Sequence, residues 1–188
     1  KQNKMKQSKL FITLCFLVCS IIAQSNNFPG LPQNASEEVK KWAIVFDFDS
    51  DSCYPAAAIS PDGKKNPGLK TTGSKTGHCR NLDQLKNANT YSRTQTWTKD
   101  GNSYTIIMYA LYFEKDQIAS GNPFGGDSEI EGHRHDWEYA AVWLKNGTAT
   151  HATYSAHSKE GDTAPWSELD KEGNHVKVVY HQDAGRTH

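Results

Sequence analysis

The chain lacks the features that identify several common functional classes. Its 21 lysine and arginine residues are balanced by 21 aspartates and glutamates, so it has no excess of positive charge for binding a nucleic-acid backbone. It contains no G-x-S-x-G nucleophile turn, no H-E-x-x-H zinc helix and no glycine-rich phosphate loop. These absences argue against nucleic acid as a partner and leave no motif for the common hydrolases or nucleotide-dependent enzymes.

Long hydrophobic runs are also missing, with one exception near the start of the sequence. The thirteen-residue apolar segment Leu10–Ile22 follows two lysines and ends at Ala23, a small residue typical of a cleavage site. It is too short to span a hydrocarbon core of ~30 Å. We therefore predict that residues 1–23 comprise upstream residues and a secretory signal peptide starting at Met5, and that the mature protein is secreted.

Cysteine is scarce, and two of the four cysteines lie in the predicted signal peptide. The mature chain keeps Cys53 and Cys79, which in an oxidising compartment can form one disulfide; two free thiols are the alternative. By closing the loop between them, the disulfide would stabilise the folded protein by roughly 3.5 kcal/mol in the chain-entropy model. Asn34 and Asn146 stand in N-x-S/T sequons and are candidate glycosylation sites in a eukaryotic secretory pathway.

Strand patterns dominate the remainder of the chain. Short helices are predicted only at 37–42 and 82–88, after a polar lead-in at 24–36. Asp-Gly and Asn-Gly turn dipeptides separate two pairs of strand-like segments. The chain is therefore predicted to be mainly β, an antiparallel β-sandwich with a few short flanking helices. The predicted strands cover residues 94–98, 104–113, 137–144, 148–155 and 176–180.

The segment Gly132–Glu138 has the highest density of chemically active side chains. Alternation along a strand places Asp136 and Glu138 on one face and Trp137 on the other, while His133 is out of phase and is expected on a loop or bulge that folds back over the carboxylates. Converging carboxylates suit a hard divalent cation. The alternatives are a zinc or other transition-metal site built on the two histidines and Glu138, and a solvated polar rim with internal salt bridges.

The heptapeptide Gly132-His133-Arg134-His135-Asp136-Trp137-Glu138 resembles the hallmark of the necrosis- and ethylene-inducing peptide-like proteins of plant-associated microbes. Four further blocks resemble that family in the same order, and the chain is identified as a member. Residues 37–188 would then form a single necrosis-inducing-protein domain, expected to be incomplete at its C-terminus and closer to the family's second type. The four blocks are 51–59, 77–80, 89–93 and 107–116.

This resemblance implies a fold similar to actinoporins and fungal lectins, and a secreted cytolysin rather than an enzyme. It implies a divalent cation, calcium with magnesium as the alternative, bound directly by Asp116 and Asp136. His133 and Glu138 would complete the site through water. The residues expected to support the cavity are Arg134, His135, Trp137 and His188.

The implied partners are the glycosylinositol phosphorylceramide head groups of plant plasma membranes and plant pattern-recognition receptors. The protein would act as a monomer from the host apoplast, causing necrosis of eudicot cells and immune responses. The second hypothesis is a non-toxic family member that binds glycan or is only perceived by the plant, because 183–186 lacks the tryptophan of first-type members. A secreted metal-dependent hydrolase using His133, His135 and Glu138 is the third.

The tryptophans give a separate expectation about surfaces. Trp42, Trp97, Trp143 and Trp166 are interpreted as core or cavity-wall residues rather than lipid anchors. Packing is likewise the expected role of Trp137, because it is out of phase with the carboxylates beside it.

Overall fold

The structure is a computed structural model that describes residues 28–121, 129–156, 159–183 and 186–187. The predicted signal peptide and His188 lie outside these residues. Neither helix in the described ranges is long and apolar enough to cross a membrane. The elements are α1 (Glu37–Lys41), β1 (Val45–Phe48), α2 (Leu82–Asn87), β2 (Tyr91–Lys99), β3 (Asn102–Gln117), β4 (Gly132–Lys145), β5 (Thr148–Ala156), β6 (Lys159–Pro165), β7 (Lys171–Glu172), β8 (His175–Tyr180), β9 (Gln182–Asp183) and β10 (Arg186–Thr187).

A five-stranded antiparallel sheet with the order β2-β3-β4-β5-β6 forms the main body of the fold. The two predicted turn dipeptides connect its hairpins: Asp100 and Gly101 have φ of 49° and 71°, and Asn146 and Gly147 have φ of 48° and 77°. Positive φ at both central residues is the requirement of a tight hairpin turn that matches strand twist. Both predicted hairpins are confirmed.

The two predicted glycosylation sites have different surroundings. Asn34 is exposed in the lead-in. The Asn146 side chain participates in the hairpin turn, where its Oδ1 accepts from the Ser103 amide at 2.9 Å and its Nδ2 donates to Asn102 Oδ1 at 2.9 Å. Modification at either position stays a prediction.

A second, three-stranded sheet has the order β1-β8-β7, and it differs from the prediction of purely antiparallel pairing. Strand β1 pairs with β8 in parallel, with Val45 opposite Lys177 and Phe48 opposite Tyr180. These strands lie far apart in sequence, so no hairpin turn imposes an antiparallel arrangement on them. The mainly β sandwich itself is confirmed.

Two hydrophobic clusters fill the interior. The larger one gathers inward side chains such as Ile107, Tyr109 and Val142, together with Trp42 from the segment after α1 and Val176 from β8. The smaller one surrounds the disulfide and contains Leu111, Phe113 and Tyr180. Alternate residues of β3 and β4 therefore face the second sheet, as the period of two requires.

The tryptophans are only partly where the sequence placed them. Trp42 is buried and packs edge-on against Trp166 with ring centroids 5.6 Å apart. The core interpretation of Trp97 is wrong, because its side chain lies on the outer face of the edge strand β2 and is 37% exposed. Trp143 is half-buried on the same outer face, against Trp97, and is therefore not a core residue either. An outward position on an edge strand has no second layer to cover it.

The predicted disulfide between Cys53 and Cys79 is present, with the two Cα atoms 5.0 Å apart. The loop that it closes is irregular, as expected from its glycine and proline content. It lies against the end of β3, where the amide of Ala56 donates to the Tyr112 carbonyl and the amide of Leu69 donates to the Glu114 carbonyl, each at 2.8 Å. The loop thereby forms one wall around the C-terminal end of β3.

Candidate metal centre

The heptapeptide forms the first half of β4 and runs antiparallel to the end of β3. This register sets His133 opposite Asp116 and Asp136 opposite Phe113. Because opposed residues share a face, Asp136 and Glu138 point toward the second sheet with Phe113 and Leu111. Trp137 lies on the other face, with its ring centroid 5.4 Å from that of Tyr112, but it is 48% exposed, so its expected packing role holds only in part. The predicted alternation around Trp137 is confirmed.

His133 is brought over the carboxylates by an irregular backbone within the strand. Its Nε2 lies 4.0 Å from Asp116 Oδ2 and 4.0 Å from Asp136 Oδ1. Of the two predicted alternatives, a loop or a bulge, the loop is wrong, since His133 belongs to β4, while the expected position over the carboxylates is confirmed. The irregularity is at its neighbours: His135 has a left-handed φ of 67° and Gly132 has a φ of 138°. A residue with positive φ interrupts the alternation of side chains between the two faces of a strand.

Two carboxyl groups in the described part of the chain, those of Glu114 and Asp136, hold a buried oxygen with no hydrogen-bond partner, and Asp136 is the one that lies beside other carboxylates. Its side chain is 14% exposed, and its Oδ2 is buried without a hydrogen-bond partner. Burial, followed by the nearby carboxylates of Glu138 and Asp116, raises its pKa from 3.8 to about 6. Two aspartates and a glutamate thus converge on a site where negative charge lacks compensation.

Two residues that the sequence analysis did not select complete the surroundings. The Ser155 hydroxyl donates to the Glu138 carboxylate and fixes its position. Tyr180 of β8 stacks on Phe113 with centroids 4.2 Å apart, and its pKa is raised by burial and by the carboxylates of Asp136 and Asp116. The alternation Val176, Val178, Tyr180 along the predicted strand was the available signal that Tyr180 faces inward.

Arg134 and His135 contact the disulfide-closed loop instead of the carboxylates. Arg134 Nη1 donates to the Pro67 carbonyl at 3.2 Å, and His135 Nδ1 shares a 2.6 Å hydrogen bond with the Tyr112 hydroxyl. A Cβ on Gly68 would lie within 2.8 Å of atoms of both side chains, which shows how closely the loop approaches them. They connect β4 to the loop, and their predicted support of the cavity is untested.

The donor set fits a hard divalent cation better than a transition metal. Carboxylate oxygens are the preferred ligands of calcium and magnesium, and Asp136 offers a buried oxygen with no other partner. Among the described histidines of the heptapeptide, His133 faces the aspartates, whereas His135 contacts Tyr112 and Gly68. Within the described ranges no group of three or more His, Cys, Asp or Glu side chains is spaced as a ready-made metal site. Asp116 and Asp136 would therefore hold the ion with water completing its shell.

Replacing Gly132 with alanine is expected to disrupt this site with a smaller effect on the fold. An alanine Cβ would lie 2.3 Å from the backbone oxygen of Asp116, and the φ of 138° is unfavourable for any side chain. The strands must separate locally, which displaces Asp116 from Asp136. We expect calcium affinity, measured by isothermal titration calorimetry, to fall at least about tenfold.

The matched control is Gly63→Ala, where φ is 81° but no atom lies within 4 Å of the new Cβ. It carries the backbone penalty of a left-handed alanine without the collision at the site. Equal calcium affinity in Gly132→Ala and Gly63→Ala would contradict the proposed role of the β3–β4 spacing.

Comparison with known proteins identifies a matching family. Residues 36–188 match the family described as necrosis inducing protein (NPP1). Among curated proteins, NLP effector protein 2 of Phytophthora capsici is 37% identical over 135 residues, covering 69% of this chain and 49% of the relative. The chain thus spans about half the length of this relative.

Solved structures agree with the sequence match. The complex of NLPPya with mannosamine aligns with a TM-score of 0.67 at 28% identity, covering 86% of this chain and 71% of that one. The non-toxic HaNLP3 protein aligns with a TM-score of 0.64 at 25% identity, covering 85% and 72%. The same fold therefore occurs in a sugar complex and in a protein described as non-toxic.

Proposed function

Because the chain belongs to the necrosis-inducing protein (NPP1) family, which includes effectors of plant pathogens and toxin folds, we propose that it is a secreted virulence factor with cytolytic activity. In this proposal the protein acts in the host apoplast and binds one divalent cation, calcium or magnesium. With the cation it engages the sphingolipid head groups of the plant plasma membrane, which leads to necrosis of eudicot cells and immune responses.

The observation that carries the proposal is the buried, unpartnered Oδ2 of Asp136 beside two further carboxylates. A bound divalent cation would supply the missing positive charge and accept this oxygen as a ligand. Asp116 and Asp136 would bind it directly, and His133 and Glu138 would hold water of its shell, with Ser155 orienting Glu138.

Head-group recognition follows from the chemistry of such a cation. With few protein ligands, a hard cation keeps open positions that water or sugar hydroxyls can occupy. His133 is 58% exposed at the site, so its ring is available to a polar ligand. Complexes of NLPPya with mannosamine and with glucosamine support a sugar-containing ligand for this protein as well.

The test is dye release from vesicles that contain eudicot glycosylinositol phosphorylceramide. We expect release in the presence of calcium and none in EDTA, because the head group requires the cation. The Asp116→Asn variant should release little dye. The Asp47→Asn variant changes an exposed aspartate on β1, away from the site, and should match the wild type. Release in EDTA by the wild type would overturn the cation-dependent mechanism.

The second candidate function is a non-toxic family member that binds glycan or is perceived by plant receptors. Its support is the alignment with the non-toxic HaNLP3 structure and the absence of a tryptophan in 183–186. Calcium and glycan binding without dye release from sphingolipid vesicles, in protein shown to be folded, would favour this function over cytolysis.

A further inference from the structure

The outer face of the five-stranded sheet carries a continuous group of apolar side chains that are open to solvent. Trp97 is 37% exposed and Met108 is 36% exposed. The register sets Trp97 opposite Tyr104, and Ile106 opposite Trp143. We call this group the aromatic face and define it by Trp97, Tyr104, Ile106, Met108, Trp143 and His151.

The rings of the aromatic face hold one another in place. Trp97 stacks on Tyr104 with centroids 5.7 Å apart and meets Trp143 edge-on at 6.2 Å. Trp143 in turn stacks on His151 at 5.2 Å, and its Nε1 donates to Thr153 Oγ1 at 3.0 Å. Because these rings are already ordered, the protein loses little further side-chain entropy when a ligand covers them.

Charge on this face has one sign. Arg93, Lys99 and Lys145 project from the same side of β2 and β4 and are exposed. None of the three forms an ion pair with a carboxylate among the described residues. Segments 91–99, 102–112, 139–145 and 148–156, which build this part of the sheet, contain no aspartate or glutamate. The chain as a whole has equal numbers of acidic and basic residues, so the positive charge of this face is not a consequence of overall composition.

From these observations we propose that the aromatic face docks onto the surface of an anionic lipid bilayer. Tryptophan and tyrosine prefer the boundary between head groups and acyl chains, and cations are attracted to anionic lipids by ~1 kcal/mol each. Met108 and Ile106 favour a lipid over a soluble polyanion, because aliphatic side chains gain only from apolar surroundings. The contact holds the whole molecule at the membrane and uses no residue of the cation site.

The inference rests on the proposed function in one respect, namely that the protein acts at a membrane. It is tested by sedimentation with phosphatidylcholine vesicles that contain a minority of phosphatidylserine, lack sphingolipid and are suspended in EDTA. We expect the wild type to bind these vesicles, to bind pure phosphatidylcholine much less, and to dissociate as salt is raised. The double variant Arg93→Glu/Lys145→Glu should bind at least about tenfold more weakly.

The control with the same change in charge is Lys40→Glu/Lys86→Glu, which reverses two exposed lysines on α1 and α2. It should bind like the wild type. Trp97→Thr tests the apolar contribution, since threonine suits an edge strand, and it should bind severalfold more weakly. Thermal melts of all variants verify folding.

Equal binding by the two double variants, or no binding by the wild type, would overturn the inference. Binding to soluble polygalacturonate that depends on Arg93 and Lys145, with none to vesicles, would also overturn it in favour of an anionic polymer. Failure of this inference and failure of the proposed function can be told apart. If the protein releases no dye with calcium, the sedimentation result in EDTA still tests the aromatic face. If the protein does not bind vesicles in EDTA, calcium binding at the cation site can still be measured.

Discussion

Replacing Asp136 with asparagine is expected to abolish calcium binding and calcium-dependent dye release, and at neutral pH to stabilise the cation-free protein. The variant loses the buried oxygen that is proposed to bind the cation directly. In the absence of the cation it also removes one of three converging negative charges. The asparagine amide can donate to the neighbouring carboxylates, so the substitution keeps the size of the side chain and improves its hydrogen bonding.

The sign of the stability effect follows from the pKa of Asp136, which rises from 3.8 to about 6 on folding. Between these values the folded protein holds a proton that the unfolded chain has released. The cation-free protein should therefore lose stability as pH rises from about 4 to about 6, and above this window the cost is about 3 kcal/mol. In Asp136→Asn this part of the pH dependence disappears.

Urea unfolding in EDTA at acidic and neutral pH measures the effect, and calorimetry measures calcium binding. Asp47→Asn is the matched control, because the same exchange is made at an exposed position of β1. It should retain both calcium binding and the wild-type pH profile. Calcium should stabilise the wild type and the control but not Asp136→Asn. Unchanged calcium affinity in Asp136→Asn would exclude this carboxylate as a ligand.

The central hairpins were predictable because their signals are local. The turn dipeptides at 100–101 and 146–147 and the apolar alternation of β3 and β4 require nothing beyond neighbouring residues. The parallel pairing of β1 with β8 depends on residues more than a hundred positions apart, which no local pattern encodes. Strand β6, Lys159–Pro165, was missed because its glycine, acids and proline resemble a loop, and it pairs as an edge strand.

The candidate site was predictable where the heptapeptide and the resemblance to the family named its residues. The heptapeptide contains Asp136, the resemblance of block 107–116 added Asp116, and alternation correctly separated Trp137 from the carboxylates of β4. The left-handed conformation of His135 could not be predicted, since few residues other than glycine adopt it and the groups that contact this side chain, the Tyr112 hydroxyl and the loop at Gly68, come from other parts of the fold. Tyr180 and Ser155 come from other strands, so their proximity to the site depends on the three-dimensional packing.

Removing the disulfide with Cys53→Ala/Cys79→Ala is expected to lower the free energy of unfolding by roughly 3.5 kcal/mol, because the unfolded chain regains the freedom of a 26-residue loop. Loss of two buried sulfur atoms beside Phe113 and Tyr180 adds a packing cost. Urea unfolding measures the loss, and the slope of the transition should increase because the unfolded state becomes more open.

In this double variant the free energy of calcium binding should change less than the free energy of unfolding. The same loop is also fixed to the site by hydrogen bonds that do not involve sulfur. The buried Lys115 Nζ donates to the Ser74 carbonyl at 2.9 Å, and the Ile130 amide donates to the Thr71 carbonyl at 2.7 Å. These contacts keep the loop against β3 and against the segment that precedes β4 in the folded state, whereas the disulfide acts mainly on the unfolded state. Reduced wild-type protein should lose the roughly 3.5 kcal/mol of the chain-entropy model without the packing cost, because it keeps both sulfur atoms. An unchanged unfolding midpoint would mean that the unfolded chain already keeps this loop closed.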